Sequence, residues 1–195
     1  MTSKPPTDAA ETLAFADAAA FDTWLADHAG LQAGVWLKMA KKGSGVASLT
    51  SDEAVDVGLC HGWISGQRRP LDATCYLQKY VPRRARSRWS QVNVEKVEAL
   101  TTAGRMAPAG LAEVAAAKAD GRWASAYEPQ SRAEAPPELE AALAGDARAA
   151  GAFSGLSRTA RYAMILDIVT ARTDATRAAR LAKVMAALRG RSGEG

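Results

Sequence analysis

The hydrophobic period of this chain changes once, and that change limits what it can fold into. Before Ser90, short runs of β-like alternation stand between helical stretches; from Ser90 onward every periodic run has helical spacing. Strands early and helices late, with no internal repeat, define an α+β chain. The expectation is a small antiparallel β-sheet or hairpin in the N-terminal half, packed with helices, and an all-helical C-terminal half. The 195 residues suit one domain over 13–190, mixed over 13–89 and helical over 90–190, with disordered tails at 1–12 and 191–195.

Local chemistry marks the elements. Asp17 can cap a helix running to about Ala29, with Gly30 as its stop. Val35, Leu37 and Met39 alternate along a strand over 35–41, closed by the turn KKGSG. Thr50 and Glu53 have capping-box spacing ahead of a helix that ends near Cys60. The runs Trp63–Arg69 and Tyr76–Val81 flank the turn residues PLDAT and read as a hairpin, with Pro82 ending the second strand. Ser90, Pro108, Pro136–Pro137, Ser157 and Asp174 mark five further helix starts, and 124–135 reads as a loop. Alanine supplies nearly half of the 48% hydrophobic fraction, so the core must rest on a few large side chains, the five tryptophans among them.

The net charge of +4 hides a segregation. Residues 1–60 carry −4, 61–105 carry +6, 106–157 carry −3 and 158–195 carry +5. Two basic blocks point to an anionic partner, unless they face the acidic segments of the same chain.

The first block contains the most unusual stretch, YLQKYVPRRARSRWSQVN over 76–93. Lys79, Arg83, Arg84, Arg86 and Arg88 occur there with no acid among them, interleaved with Tyr76, Tyr80 and Trp89. Arginine binds phosphate or carboxylate with two parallel bonds and stacks on flat rings. The stretch enters a predicted helix at Ser90, whose free N–H groups favour an anion. With Ser90, Asn93 and the hairpin-flanking Trp63, these residues are the candidate ligand-binding set. The second block places Arg172, Arg177, Arg180 and Lys183 around the last helix, where a basic exposed side is expected.

Catalytic signals are weaker. Cys60 and His61 are sequence neighbours on a helix, where adjacent side chains do not face each other, so a structural role is expected for both. His61 and Asp72 stand as candidate proton carriers. With two histidines, scattered carboxylates and no Walker, GxGxxG, G-x-S-x-G or HExxH motif, neither a metal nor a cofactor is expected. No apolar run approaches the roughly 20 residues that span a bilayer, and no signal-peptide pattern opens the chain. No membrane insertion and a cytoplasmic location are the corresponding expectations.

The segments VWLKMAKKGSG, LCHGWISGQRRPLD, YVPRRARSRWSQVNVEKVEAL, GRMAPAGLAEVAAAKADGRW and TARTDATRAARLAKV together resemble the YdeI/OmpD-associated family, often labelled bacteriocin-protection proteins. The resemblance runs over about 15–190. Where the family shows a phenylalanine before a Gly-Trp-Ile-Asp-Gly element, this chain has His61, and Ser65 replaces the acidic residue. The resemblance implies an association with tolerance of bacteriocins or antimicrobial peptides and with an outer-membrane porin. It carries over no catalytic residue.

Two readings follow. The first is a non-enzymatic stress-tolerance protein that holds an anionic ligand, a small molecule or nucleic acid, on the Arg/Trp-rich surface. The second is an enzyme acting on a small anionic metabolite in a pocket beside Trp63 and Trp89. A third, a peptide-binding immunity protein, would use the acidic segments.

Overall fold

The computed structural model describes residues 10–191 and divides the chain into two compact units. Unit 1 comprises the residues up to Ser87 together with Lys96–Ala116; unit 2 comprises Arg88–Glu95 and the residues from Ala117 onward. Of the two expected tails, 1–9 and 192–195 lie outside the described residues.

Four strands of unit 1, β1 (Glu11–Leu13), β2 (Val35–Ala40), β3 (Trp63–Pro70) and β4 (Cys75–Pro82), form one sheet in the order β1-β2-β4-β3. The expected hairpin is β3–β4, and β2 pairs antiparallel with β4, Trp36 opposite Lys79. β1 runs parallel to β2. The sheet is therefore mixed rather than antiparallel, and helices occur throughout the chain. Three residues are too few to display a period of two, and Glu11 and Thr12 fall in the expected tail. A parallel neighbour needs a crossover, which helix α1 (Ala18–Asp27) supplies.

Two side-chain caps start the helices over this sheet. Asp17 accepts from the Ala20 N–H at 2.9 Å at the head of α1. Thr50 and Glu53 satisfy each other's backbone N–H at the head of α2 (Ser51–Cys60). Phe21 and Leu25 of α1 and Ala54 and Val57 of α2 pack with Val35, Leu37, Met39, Trp63, Tyr76 and Tyr80 of the strands in one core. Apolar spacing of three and four on each helix thus meets every second strand residue. After α2, Gly62 takes the left-handed conformation (φ 74°) that turns the chain into β3.

Helices α3 (Gln91–Thr102) and α4 (Pro108–Ala119) run across the division between the units. Within unit 1 the start of α4 abuts the end of α2. The Ala107 N–H donates to the Cys60 carbonyl at 3.0 Å, and a Cβ on Gly110 would lie 2.1 Å from that oxygen. Only glycine admits this approach.

Unit 2 gathers α5 (Pro137–Ala144), α6 (Ala147–Ser154), α7 (Arg158–Val169) and α8 (Asp174–Arg191) around Leu139, Ala149, Ile165, Ile168, Val184, Met185 and Leu188. Helix α6 escapes the sequence reading because its eight residues hold one large apolar side chain, Phe153, among four alanines; Asp146 caps it by accepting from the Ala149 N–H at 2.9 Å. The cap of α8 is Thr173, which accepts from the Thr176 N–H, rather than Asp174, which is its first helical residue. Arg191, placed in the expected C-terminal tail, ends that helix.

Candidate functional site

The site begins with a bulge. Ser65 opposes Tyr80 and Arg68 opposes Gln78, so β3 spends two residues, Gly66 and Gln67, against Lys79 alone. The Gln78 amide fastens the bulge, donating to the carbonyls of Gly66 at 2.9 Å and Gln67 at 3.2 Å. An inserted residue inverts the alternation beyond it. Arg68 consequently joins the core-side face, its guanidinium carbon 3.7 Å from the centre of the Tyr76 ring. Arg69 joins the outer face, 4.5 Å from the centre of the Trp36 ring.

On that outer face Trp36 is the centre. Lys79, its cross-strand partner, places Nζ 5.7 Å from the indole. Lys38 and Arg69 both oppose Leu77, one from each side, and are exposed. Trp36 itself is only 9% exposed, so an incoming planar group meets the Arg69 guanidinium stacked on the ring rather than the ring. Among the described residues none of Lys38, Arg68, Arg69 and Lys79 has a carboxylate within ion-pair distance.

The second basic block behaves differently. Arg177 bonds Glu138, Arg189 bonds Asp146 at 2.6 Å, and Arg180 reaches the Asp167 carbonyl at 2.6 Å and its carboxylate at 3.7 Å. These arginines face acids of the same chain. Arg172 and Lys183 of the same block have no carboxylate within ion-pair distance among the described residues, so the second block is neutralised in part.

The expected ligand-binding residues fall on both sides of the unit division. In unit 1, Trp63 is 1% exposed and meets the edge of Trp24, a core pillar without a face toward solvent. Arg83 is also buried, its N–H donating to the Gly62 carbonyl at 2.9 Å. Arg84 and Arg86 are exposed on a turn closed by Ser87, whose hydroxyl accepts from the Arg84 N–H. In unit 2, Trp89 is 1% exposed against Trp123, ring centres 4.9 Å apart. Ser90 caps α3 by accepting from the Asn93 N–H at 3.2 Å, and exposed Arg88 lines a shallow cavity of about 460 Å³ with Asp167. Sequence reasoning kept Lys79 and missed Trp36, Lys38, Arg68 and Arg69. The available signal was Gly66, an isolated glycine inside a strand pattern, which marks a bulge.

The candidate proton carriers are both engaged and lie at opposite ends of β3, roughly 25 Å apart along an eight-residue strand. His61 is buried and donates from Nε2 to Asp22 at 2.9 Å. Asp72 accepts the N–H groups of Thr74 and Cys75 at 2.8 and 2.7 Å, and these bonds hold its carboxyl below the usual range. Burial pushes the Cys60 thiol up, against the pull of Arg105, which disfavours the thiolate a nucleophile needs. The described residues contain no group of three metal-ligating side chains, and no described helix is long and apolar enough to cross a membrane.

Fold and site define an α+β protein whose mixed sheet carries a cationic outer face. Residues 13–113 match the model of a domain of unknown function (DUF8412), just over half of the chain, and the chain belongs to that family. Residues 132–190 match the family described as Bacteriocin-protection, YdeI or OmpD-Associated, which bears out the resemblance for that segment. Of the motifs that carry the resemblance, TARTDATRAARLAKV lies in the second match; the strand motifs and LCHGWISGQRRPLD lie in the first. No curated protein and no solved structure matches the chain.

Proposed function

We propose that this chain is a binding protein for a polyanionic ligand, held on the outer sheet face by Lys38, Arg69 and Lys79 around Trp36. The observation that carries the reading is the gathering of Lys38, Arg69 and Lys79 on one face around Trp36 with no carboxylate within ion-pair distance among the described residues, whereas Arg177, Arg180 and Arg189 of the second block are paired inside unit 2. Unpaired cations in a cross-strand cluster raise the local concentration of anions and bind them with charge-assisted bonds. Arg69, held over the Trp36 ring and donating to the Gln67 amide oxygen at 3.3 Å, has lost part of the side-chain freedom that binding otherwise costs.

A second reading, single-stranded nucleic acid as that polyanion, is favoured by the same stacked guanidinium, since unstacked bases lie on arginine planes and phosphates pair with flanking lysines. Fluorescence anisotropy of a labelled single-stranded oligonucleotide, with inorganic polyphosphate as competitor, tests both. Arg69→Ala/Lys79→Ala is expected to weaken binding of either polymer by at least tenfold, about 1.4 kcal/mol. Unchanged affinity for both polymers overturns the proposal; no change in oligonucleotide anisotropy while calorimetry shows polyphosphate binding overturns the nucleic-acid reading.

A further inference from the structure

We infer a second anion site in unit 1, separate from the outer face, that takes a small phosphorylated polyol, a sugar phosphate. A cavity of about 540 Å³ lies between the KKGSG turn, Ser48–Ser51 and the Arg68–Tyr76 pair. Its volume is within the range of small-molecule sites. Its chemistry comes from the bulge, which delivers Arg68 to this side of the sheet while its neighbour Arg69 goes to the other.

Arg68 is preorganised. Its guanidinium lies 3.7 Å from the Tyr76 ring centre, so the plane is held while the N–H edges remain for an oxyanion. Lys42 lines the same cavity, and neither cation has a carboxylate within ion-pair distance among the described residues. Lys41 is used otherwise, donating to the Asp72 carbonyl at 2.7 Å and so fixing the turn against the β3–β4 loop. Two cations suit one phosphate.

The rest of the lining is hydroxylic and small. The Ser44 hydroxyl accepts from the Val46 N–H and keeps its own proton to donate, and Ser51 is exposed in the wall. The N-terminus of α2 is not the anion donor, because the Glu53 carboxylate already occupies it through Thr50. That carboxylate stands outside the cavity lining, and its charge repels a phosphate from this end; the phosphate therefore sits at Arg68 and Lys42, and the polyol meets the Ser44 and Ser51 hydroxyls.

Calorimetric titration of the full chain with ribose phosphate and glucose phosphate tests the site, with amide shifts over 41–51 as the second readout. Saturable binding is expected, weakened about tenfold or more by Arg68→Leu and by Lys42→Met, each of which removes a charge-assisted bond. Arg68→Lys keeps the charge but not the stacked plane and should give an intermediate loss. Arg69→Ala/Lys79→Ala strips the outer face and should leave sugar-phosphate affinity unchanged, which separates this site from the polyanion reading. No saturable binding of either sugar phosphate overturns the proposal, as does full affinity in Arg68→Leu. Inorganic phosphate binding as tightly as the sugar phosphates overturns the polyol part.

Discussion

Replacing Gly110 by alanine probes how the head of α4 is held against the end of α2. The new Cβ would stand 2.1 Å from Cys60 O, 2.7 Å from Cys60 C and 3.0 Å from Leu59 O. All three are backbone atoms, so none can swing aside. Reaching ordinary van der Waals separation requires α4 to withdraw by more than about 1 Å. That withdrawal breaks the Ala107 N–H bond to Cys60 O, worth about 1 kcal/mol, and overpacking typically costs about 1–3 kcal/mol more. Alanine returns about 1 kcal/mol of helix propensity. The net expectation is a loss of about 1–3 kcal/mol. Gly151, inside α6, is the control: a Cβ there meets nothing within 4 Å, so Gly151→Ala should stabilise by about 0.5–1 kcal/mol. Urea unfolding reads both, with the midpoint lowered for Gly110→Ala and raised for Gly151→Ala at unchanged slope. A Gly110→Ala midpoint at or above that of the parent chain would refute the reasoning.

Other consequences can be measured alongside. Gln78→Leu removes both donors that fasten the bulge and should cost about 1–3 kcal/mol, and it should also weaken polyanion binding, although Gln78 is not among the sheet-face cations; full oligonucleotide affinity would break the link between bulge and site. Thr50→Ala should cost about 1 kcal/mol and let the Glu53 carboxyl rise part of the way toward its ordinary value, since the Thr50 N–H that holds it down most remains and the hydroxyl that adds to it is lost; an unmoved Glu53 in an NMR titration contradicts this. Glu53, Asp72 and Asp146 are all held below their usual values, Asp146 by the Ala149 N–H and Arg189. A carboxyl depressed in the fold stabilises it above the unfolded value, and that contribution disappears as pH falls through the folded value. Stability should therefore fall below about pH 4, and a rise on acidification would contradict the cause assigned.

What sequence shows of this protein follows the range of the interactions involved. The Thr50–Glu53 box, the Asp17, Ser90 and Ser157 caps and the β3–β4 hairpin are legible because side chain and partner lie within a few residues of each other. β1 is hidden because its reason for being a strand is β2, more than twenty residues away. The site is hidden for a related reason. Nothing near Arg69 announces Trp36; the two meet only through the β2–β4–β3 register, and only because Gly66 and Gln67 shift it by one. Charge counting marks the block that supplies Arg69 and Lys79 but not which of its cations reach the outer sheet face, since the buried Arg83 and the exposed Arg84 look identical in a sequence. It also could not tell the first block from the second, whose partners Glu138 and Asp146 are brought up by folding.

The salt dependence of oligonucleotide binding tests the central claim most directly. If Arg69 and Lys79 each neutralise one phosphate, the log–log slope of affinity against salt should flatten by about 0.7 for each when it is replaced by alanine, and by the sum in the double variant. Arg177→Ala, which removes a guanidinium already paired with Glu138, should leave that slope as it is. A slope unchanged in Arg69→Ala/Lys79→Ala, or one that flattens equally in Arg177→Ala, would contradict the assignment of the anion site to the sheet face.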